Sequence, residues 1–222
     1  MRRHHRNGSG AGHGAGWPAW RAFCPRPPDL RVLLHLELQE QRLDQEPVLR
    51  HCQELAADPH PGYRLAHWAA PEPLVNSFGQ VMGHVLDAPG ADLQMAPRAW
   101  NTAAVRAWEA NIATSGARLM VCAAVHLSSG KAVAATVATV PPSGGPVADQ
   151  HDTAVVPEHR RQGLARWIKA AQVLRIHERF PGVRATTSTV NQENLQMKAV
   201  NRAVGYHLMH ERLLVEAPVA SF

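Results

Sequence analysis

From residue 30 onward the apolar positions of the chain switch repeatedly between a period of two and a period near 3.6. Residues 30–38 (Leu-Arg-Val-Leu-Leu-His-Leu-Glu-Leu) read as a strand, and residues 45–57 as a short helix that breaks at Asp58-Pro59-His60-Pro61-Gly62. Residues 63–68 alternate as a strand does. Between residues 71 and 86, Leu74, Val75, Phe78, Val81, Met82 and Val85 recur at helical spacing with a proline near the first turn, and Ala88-Pro89-Gly90 ends the run. The next helix takes Asn101 or Thr102 as its N-cap and runs towards Gly116. Two β runs, 118–127 and 131–140, are joined by Ser128-Ser129-Gly130 as a hairpin, and 147–156 follows as another strand. Residues 163–180 form an amphipathic helix with Leu164, Trp167, Ile168, Ala171 and Leu174 on one face. A threonine-rich strand (183–190), a helix closed by Gly205 (193–204) and a last strand (206–215) complete the pattern. The order from residue 63 is β-α-α-β-β-β-α-β-α-β, an α/β (α+β) sandwich with helices on both faces of a sheet.

Composition narrows this picture. The 222 residues are 45% hydrophobic and 18% charged, ordinary for a globular protein. The net charge of +5 comes mostly from residues 1–31, which are arginine-rich and hold a single acid, Asp29. The excess is thus a property of a Gly-, His-, Arg- and Pro-rich tail, residues 1–28, expected to be disordered; it is weak evidence for nucleic-acid binding by the folded part, and the tail itself, with Trp17 and Trp20, leaves single-stranded nucleic-acid binding as a third reading. Cys24, Cys52 and Cys122 are odd in number and widely spaced, which implies neither a disulfide framework nor a metal site and fits a reducing cytoplasm. No apolar run reaches membrane-spanning length, and the basic N-terminus lacks the apolar stretch of a secretory signal. A monomer or homodimer is expected.

The chemistry concentrates at Val155-Val-Pro-Glu-His-Arg160-Arg161-Gln162-Gly163-Leu164-Ala165-Arg166. A strand stops at Pro157 and a helix opens at Gly163. Helix N-termini leave N–H groups without intrahelical partners at the positive end of the dipole, so this turn suits a phosphate or pyrophosphate. No Gly-Lys-Ser/Thr follows, as a Walker A loop needs, and there is no Gly-x-Gly-x-x-Gly.

The spacing Arg160-x-x-Gly163-x-Ala165 after a Val-x-Pro strand end resembles the acyl-coenzyme A loop of the GNAT superfamily of N-acetyltransferases. A second run, Asn191-Gln-Glu-Asn194-Leu-Gln-Met197-Lys-Ala-Val-Asn201-Arg-Ala-Val-Gly205-Tyr206, is similar to the family's Asn-rich helix ending in Gly-Phe/Tyr. Gly62-Tyr63…Trp68, Asp87-Ala88-Pro89 and Asp152-Thr153 resemble the C-terminal half of actinobacterial tandem-GNAT proteins. The resemblance covers roughly residues 63–216. It implies a GNAT-like acyl-CoA N-acyltransferase fold with a central mixed, mainly antiparallel sheet, a domain over residues 63–222, and a segment 29–62 that is a remnant of a preceding domain. The chain then reads as a shortened relative, or as one whose start is misassigned.

The resemblance also implies roles. Val155 and Val156 would pair through their backbone with the pantetheine arm of acetyl-CoA, residues 160–165 would hold the pyrophosphate with Arg166 in reach, and Asn194 would bond the cofactor arm. Where many relatives carry a tyrosine acid, this chain has Asn201, which supplies no proton as an acid; Tyr206 or His207 would take that part, or the thiolate leaves to water. Base candidates are Asp149, His151 and Asp152, with His126 on the hairpin; imidazole exchanges protons near neutral pH. Alternation along a strand predicts that His151 and Asp152 do not both face the cleft. Trp108 and Glu109 fall on a helix expected at the acceptor wall. The expected partners are acetyl-CoA and an amine of a small molecule or peptide, with no metal. The alternative is an acyl-CoA-binding module with weak or no turnover.

Overall fold

The computed structural model describes residues 34–68, 72–88, 100–142 and 144–216; the tail, Cys24 and the first residues of the expected 30–38 strand lie outside the described residues. The elements are β1 (Leu34–Asp44), α1 (Gln45–Ala57), β2 (Tyr63–Trp68), α2 (Glu72–Gly83), α3 (Thr102–Thr114), β3 (Arg118–His126), β4 (Ala132–Val140), β5 (Val147–Val155), α4 (Leu164–Arg179), β6 (Ala185–Asn191), α5 (Leu195–Val204) and β7 (His207–Glu216). Short 3₁₀ turns at His84–Asp87 and Pro157–His159 follow α2 and β5. The first strand runs to Asp44, six residues past the expected end, because Gln41 and Leu43 continue an alternating buried face.

All seven strands join one sheet in the order β2-β3-β4-β5-β6-β1-β7. Every neighbouring pair is antiparallel except β5 and β6, which are parallel because α4 crosses over between them. The β3 and β4 runs Val121–Val125 and Ala132–Ala138 are buried on both faces, as sequences apolar at every position but Thr136 allow. On one face Val75, Phe78 and Met82 of α2 and Val105 of α3 pack against Val121, Ala123 and Val137. On the other, Leu164, Trp167, Ile168 and Ala171 of α4 pack against Cys122, Ala124 and Ala134. Helices α1, α4 and α5 meet around Leu43, Cys52, Val173 and Val204. Residues 34–57 are therefore built into the same sheet and the same helical layer as the rest: β1 lies between β6 and β7.

Two irregularities shape the middle of the sheet. Thr136 pairs with Thr153 and Ala138 with Gln150, so His151 and Asp152 together face Val137 alone, a bulge on β5. The parallel pairing of β5 with β6 covers only Val147–Gln150 against Ala185–Ser188. Beyond it β5 continues to Val155 and β6 to Asn191 without pairing, so the sheet opens into a V.

Candidate functional site: the fork between β5 and β6

The helix start beside this fork is shaped by backbone conformation. Arg161 and Gly163 both take positive φ, 61° and 77°, unusual for arginine and ordinary for glycine. The first α4 bond runs from Trp167 N–H to Gly163 C=O at 3.1 Å. The N–H groups of residues 161–166 meet no acceptor among the described residues. Six consecutive donors at the positive end of a 16-residue helix make an anion cradle. A side chain at Gly163 would meet the His60 ring, 3.1 Å from its Cβ.

Side chains brace this turn. Tyr63 of β2 donates to Gln162 Oε1 at 2.8 Å and lies 2.7 Å from His159 Nδ1. A phenol has one proton, so with that proton on Gln162 the Tyr63 oxygen accepts from His159 Nδ1–H. Arg160 donates from Nε to Val155 C=O at 2.9 Å and from Nη2 to Asp87 at 2.6 Å. The Asp87 carboxyl is held below the ordinary carboxylate range by hydrogen bonds from His84 and then Arg160. Arg160 thus supports the loop from behind, with its guanidinium on Asp87 and its N–H on Pro157 C=O, in place of the expected role on the pyrophosphate. Arg161 is exposed, and Arg166 lies half-exposed 3.8 Å from Asp58. Leu164 is buried in the core beneath the loop and offers only its backbone, while Ala165 is half-buried.

Of the two expected strand residues, Val156 directs its N–H to Val133 C=O at 2.9 Å and so faces β4. Alternation then turns the backbone of Val155 to the open side of β5, where Arg160 occupies its carbonyl. Asn194 caps α5 by accepting from Met197 N–H at 3.0 Å, which leaves its amide NH₂ for a ligand.

On the α3 face of the fork lies a cavity of about 460 Å³ walled by Trp108, Ile112, Thr139, His151, Asp152 and Thr189 among others. Both His151 and Asp152 line it, contrary to the expected alternation, because the bulge inserts an extra residue and resets the strand's facing. His151 Nε2 is 2.7 Å from Thr139 Oγ1. Asp149 accepts from Thr187 at 2.9 Å. A second cavity of about 790 Å³ adjoins the first, sharing Ile112 and Ala117 as walls. Glu109 lies in its wall and pairs with Arg106 at 2.7 Å.

Other candidates are placed elsewhere. Asn201 is fully buried and donates to Gln41 Oε1 at 2.8 Å, a link from α5 to β1. Tyr206 is 5% exposed in the α1–α4–α5 core, and burial pushes its phenol well above its ordinary range. His207 is exposed on β7, 3.9 Å from Asp44. His126 packs against Tyr63 and His159 beside the turn that precedes α4 and is not among the residues that wall the smaller cavity. Cys122 is buried packing, its thiol pushed up by desolvation. No group of His, Cys, Asp and Glu among the described residues is arranged to hold a metal ion, and no helix is long and apolar enough to cross a membrane.

Neither the bulge, the Tyr63–His159–Gln162 chain nor the Arg160–Asp87 pair was legible in the sequence. The side-chain links join positions 73 to 99 residues apart. Tyr63 and Asp87 did stand in the quoted runs, but nothing in spacing shows what a surface hydroxyl or carboxylate reaches.

No family model matches the chain, and no curated protein matches it. Solved structures do. A tandem GNAT protein from the clavulanic acid biosynthesis pathway superposes with TM-score 0.66 at 24% identity, over 87% of this chain and 57% of that one. A putative GNAT-family acetyltransferase from Novosphingobium aromaticivorans gives TM-score 0.53 at 17% identity over 86% and 68% of the two chains. A GCN5-related N-acetyltransferase from Kribbella flavida gives 0.51 at 15% over 86% and 61%. The chain thus spans under three fifths of the tandem protein's length. The mixed seven-stranded sheet, its fork between two parallel strands and these superpositions together give the chain the GNAT acyl-CoA N-acyltransferase fold.

Proposed function

We propose that this protein moves an acetyl group from acetyl-CoA directly to an amine of a small molecule or peptide. The observation that carries the reading is the row of six N–H groups at residues 161–166 without an acceptor, at the positive end of α4 and beside the fork. In this reading the row holds the pyrophosphate, with Arg161 and Arg166 adding charge. The open edge of Val155 and the amide of Asn194 flank the cofactor arm. The acceptor enters from the α3 face, where His151 and Asp152 stand. Direct transfer asks the protein to hold a neutral amine in line with the thioester and to receive its proton, and His151, oriented by Thr139, is the base in this reading. The two buried free thiols, Cys52 and Cys122, fit the reducing cytoplasm proposed as its location.

One observation favours a second reading, an acyl-CoA-binding module with weak or no turnover: Asn201, where many relatives carry a tyrosine acid, is fully buried with its amide on Gln41, and asparagine supplies no proton to a leaving thiolate.

Calorimetric titration with acetyl-CoA, CoA and ATP tests the reading. The CoA forms should bind selectively, and Gly163→Asp, which puts a carboxylate at a left-handed position in the anion cradle, should abolish that binding in a folded protein. Unchanged affinity in the variant removes the loop assignment. Thiol release with amines, or its absence in a protein that binds acetyl-CoA, then separates the enzyme from the module.

A further inference from the structure

Three buried polar side chains meet at the apex of the fork: Gln150 of β5, Thr136 of β4 and Gln172 of α4. The Gln150 amide donates to Thr136 Oγ1 at 2.9 Å and to Val137 C=O at 2.6 Å. Thr136 donates to Gln172 Oε1 at 3.4 Å and, having one proton, accepts from Thr153 Oγ1, 2.8 Å away. Gln172 donates in turn from Nε2 to the carbonyls of Met120 and Thr136, at 2.9 and 3.2 Å. Buried polar groups that satisfy one another in this way specify one arrangement of the backbone that carries them.

The arrangement specified here is the register of β5. Thr136 pairs with Thr153 in one register, and Ala138 with Gln150 in another, with Val137 between them. Val137 packs on the α2–α3 side of the sheet, whereas Ala138 packs with Ile176 of α4 and Thr136 bonds to α4. Residues directly opposite on paired strands point to the same face, so either register alone misplaces one residue of the site. Extending the Thr136–Thr153 register sets His151 opposite Ala138 and turns its ring into the α4 layer. Extending the Ala138–Gln150 register sets Asp152 opposite Thr136 and turns its carboxylate there instead. The shift between the registers brings both residues to the cavity on the α3 face. Gln150 spans that shift. It belongs to one register, and it bonds to the last residue of the other and to Val137, which faces the bulge. It is also the last β5 residue paired with β6, so this clamp stands where the sheet begins to open.

We propose that Gln150 is a positioning residue for the acceptor site: backed by Thr136 and Gln172, its amide holds the register shift that turns His151 and Asp152 together to the acceptor. The catalytic consequence rests on the acyl-transfer reading of the fork; the placement of the two side chains does not.

The test compares the parent protein with Gln150→Met, which keeps the side chain's length and removes both donors, and with Thr136→Val, which keeps the shape and removes the hydroxyl. Acetyl-CoA binding is measured by calorimetry, the imidazole nitrogens of His151 by NMR with assignment from His151→Gln, and turnover by thiol release with an amine. In Gln150→Met the His151 bond to Thr139 should vanish from the spectrum, and kcat should fall roughly tenfold or more while the KM for acetyl-CoA holds. Thr136→Val should move both readouts the same way by less, and it decides the matter if Gln150→Met does not fold. An unchanged His151 spectrum in a folded variant, or an unchanged kcat beside a changed spectrum, overturns the positioning role and leaves the acyl-transfer reading standing. A parent protein that binds no acetyl-CoA and releases no thiol overturns that reading, and the His151 spectrum then still decides the placement.

Discussion

A single phenol ties β2 to the turn that precedes α4. Tyr63 of β2 accepts a hydrogen bond from His159 Nδ1–H and donates one to Gln162 Oε1, so one oxygen fixes two residues of the turn. Each such bond contributes about 1 kcal/mol net. Tyr63→Phe should therefore weaken CoA binding roughly five- to tenfold, with the acceptor's KM little changed; a variant with full CoA affinity would show that the turn holds its shape without the tether. Gly205 makes the matching case for stability. It closes α5 at φ 114°, where its N–H reaches Arg202 C=O and the Tyr206 N–H reaches Asn201 C=O, both within 3.1 Å. A Cβ there would stand 2.7 Å from Val48 Cγ1. Gly205→Ala should cost at least about 1–2 kcal/mol from the left-handed backbone alone, read from urea unfolding.

At the scale of the element, helix α4 carries the row of unpaired N–H groups at one end and a buried lysine in its body. Lys169 is 2% exposed, with its ammonium 5.2 Å from the centre of the Tyr206 ring. Desolvation brings its pKa from 10.5 down to about 7. Between those values the unfolded chain binds the proton and the folded one does not, so stability rises with pH across the window and the full penalty applies below it. Cys52 acts oppositely, since its buried thiol is raised from 9.0 to about 11 and lowers stability as pH climbs above 9. The Lys169 effect is thus cleanest between about pH 7 and 8.5. Lys169→Met should raise the melting temperature by several degrees at pH 7 and flatten its rise over that interval. An unchanged slope would mean that the ammonium finds water in solution. Elements of this kind were legible in the sequence because their signals are local: Asn101 accepts from Ala104 N–H as an N-cap should, and Gly205 ends its helix. The bulge at His151–Asp152 was not legible, because an extra residue in a strand shows only against its partner, and the partner is chosen by the whole sheet. Lys169 escaped for the same reason: a lysine among apolar helix positions reads as solvated until a neighbour covers it.

At the scale of the molecule, the sheet divides at the fork into two wings, β2 to β5 and β6-β1-β7. The second wing depends on β1, which bonds to β6 along Leu38–Asp44 and to β7 along Leu34–Arg42. Without it, β7 has no neighbour and Asn201 loses its bond to Gln41. A chain beginning at Gly62 should therefore fail to fold, even though the family-like motifs all lie beyond that point; a cooperative melt of that fragment would contradict the dependence. The same arrangement governs synthesis. β1 is made more than 140 residues before either of the strands that cover its edges. For most of translation an eleven-residue strand has two bare edges, each a template for pairing with a neighbouring nascent chain. Closing the wing is a late, long-range event, slow by its contact order, and a cell that makes this protein quickly will need a chaperone to shield its beginning until its end arrives.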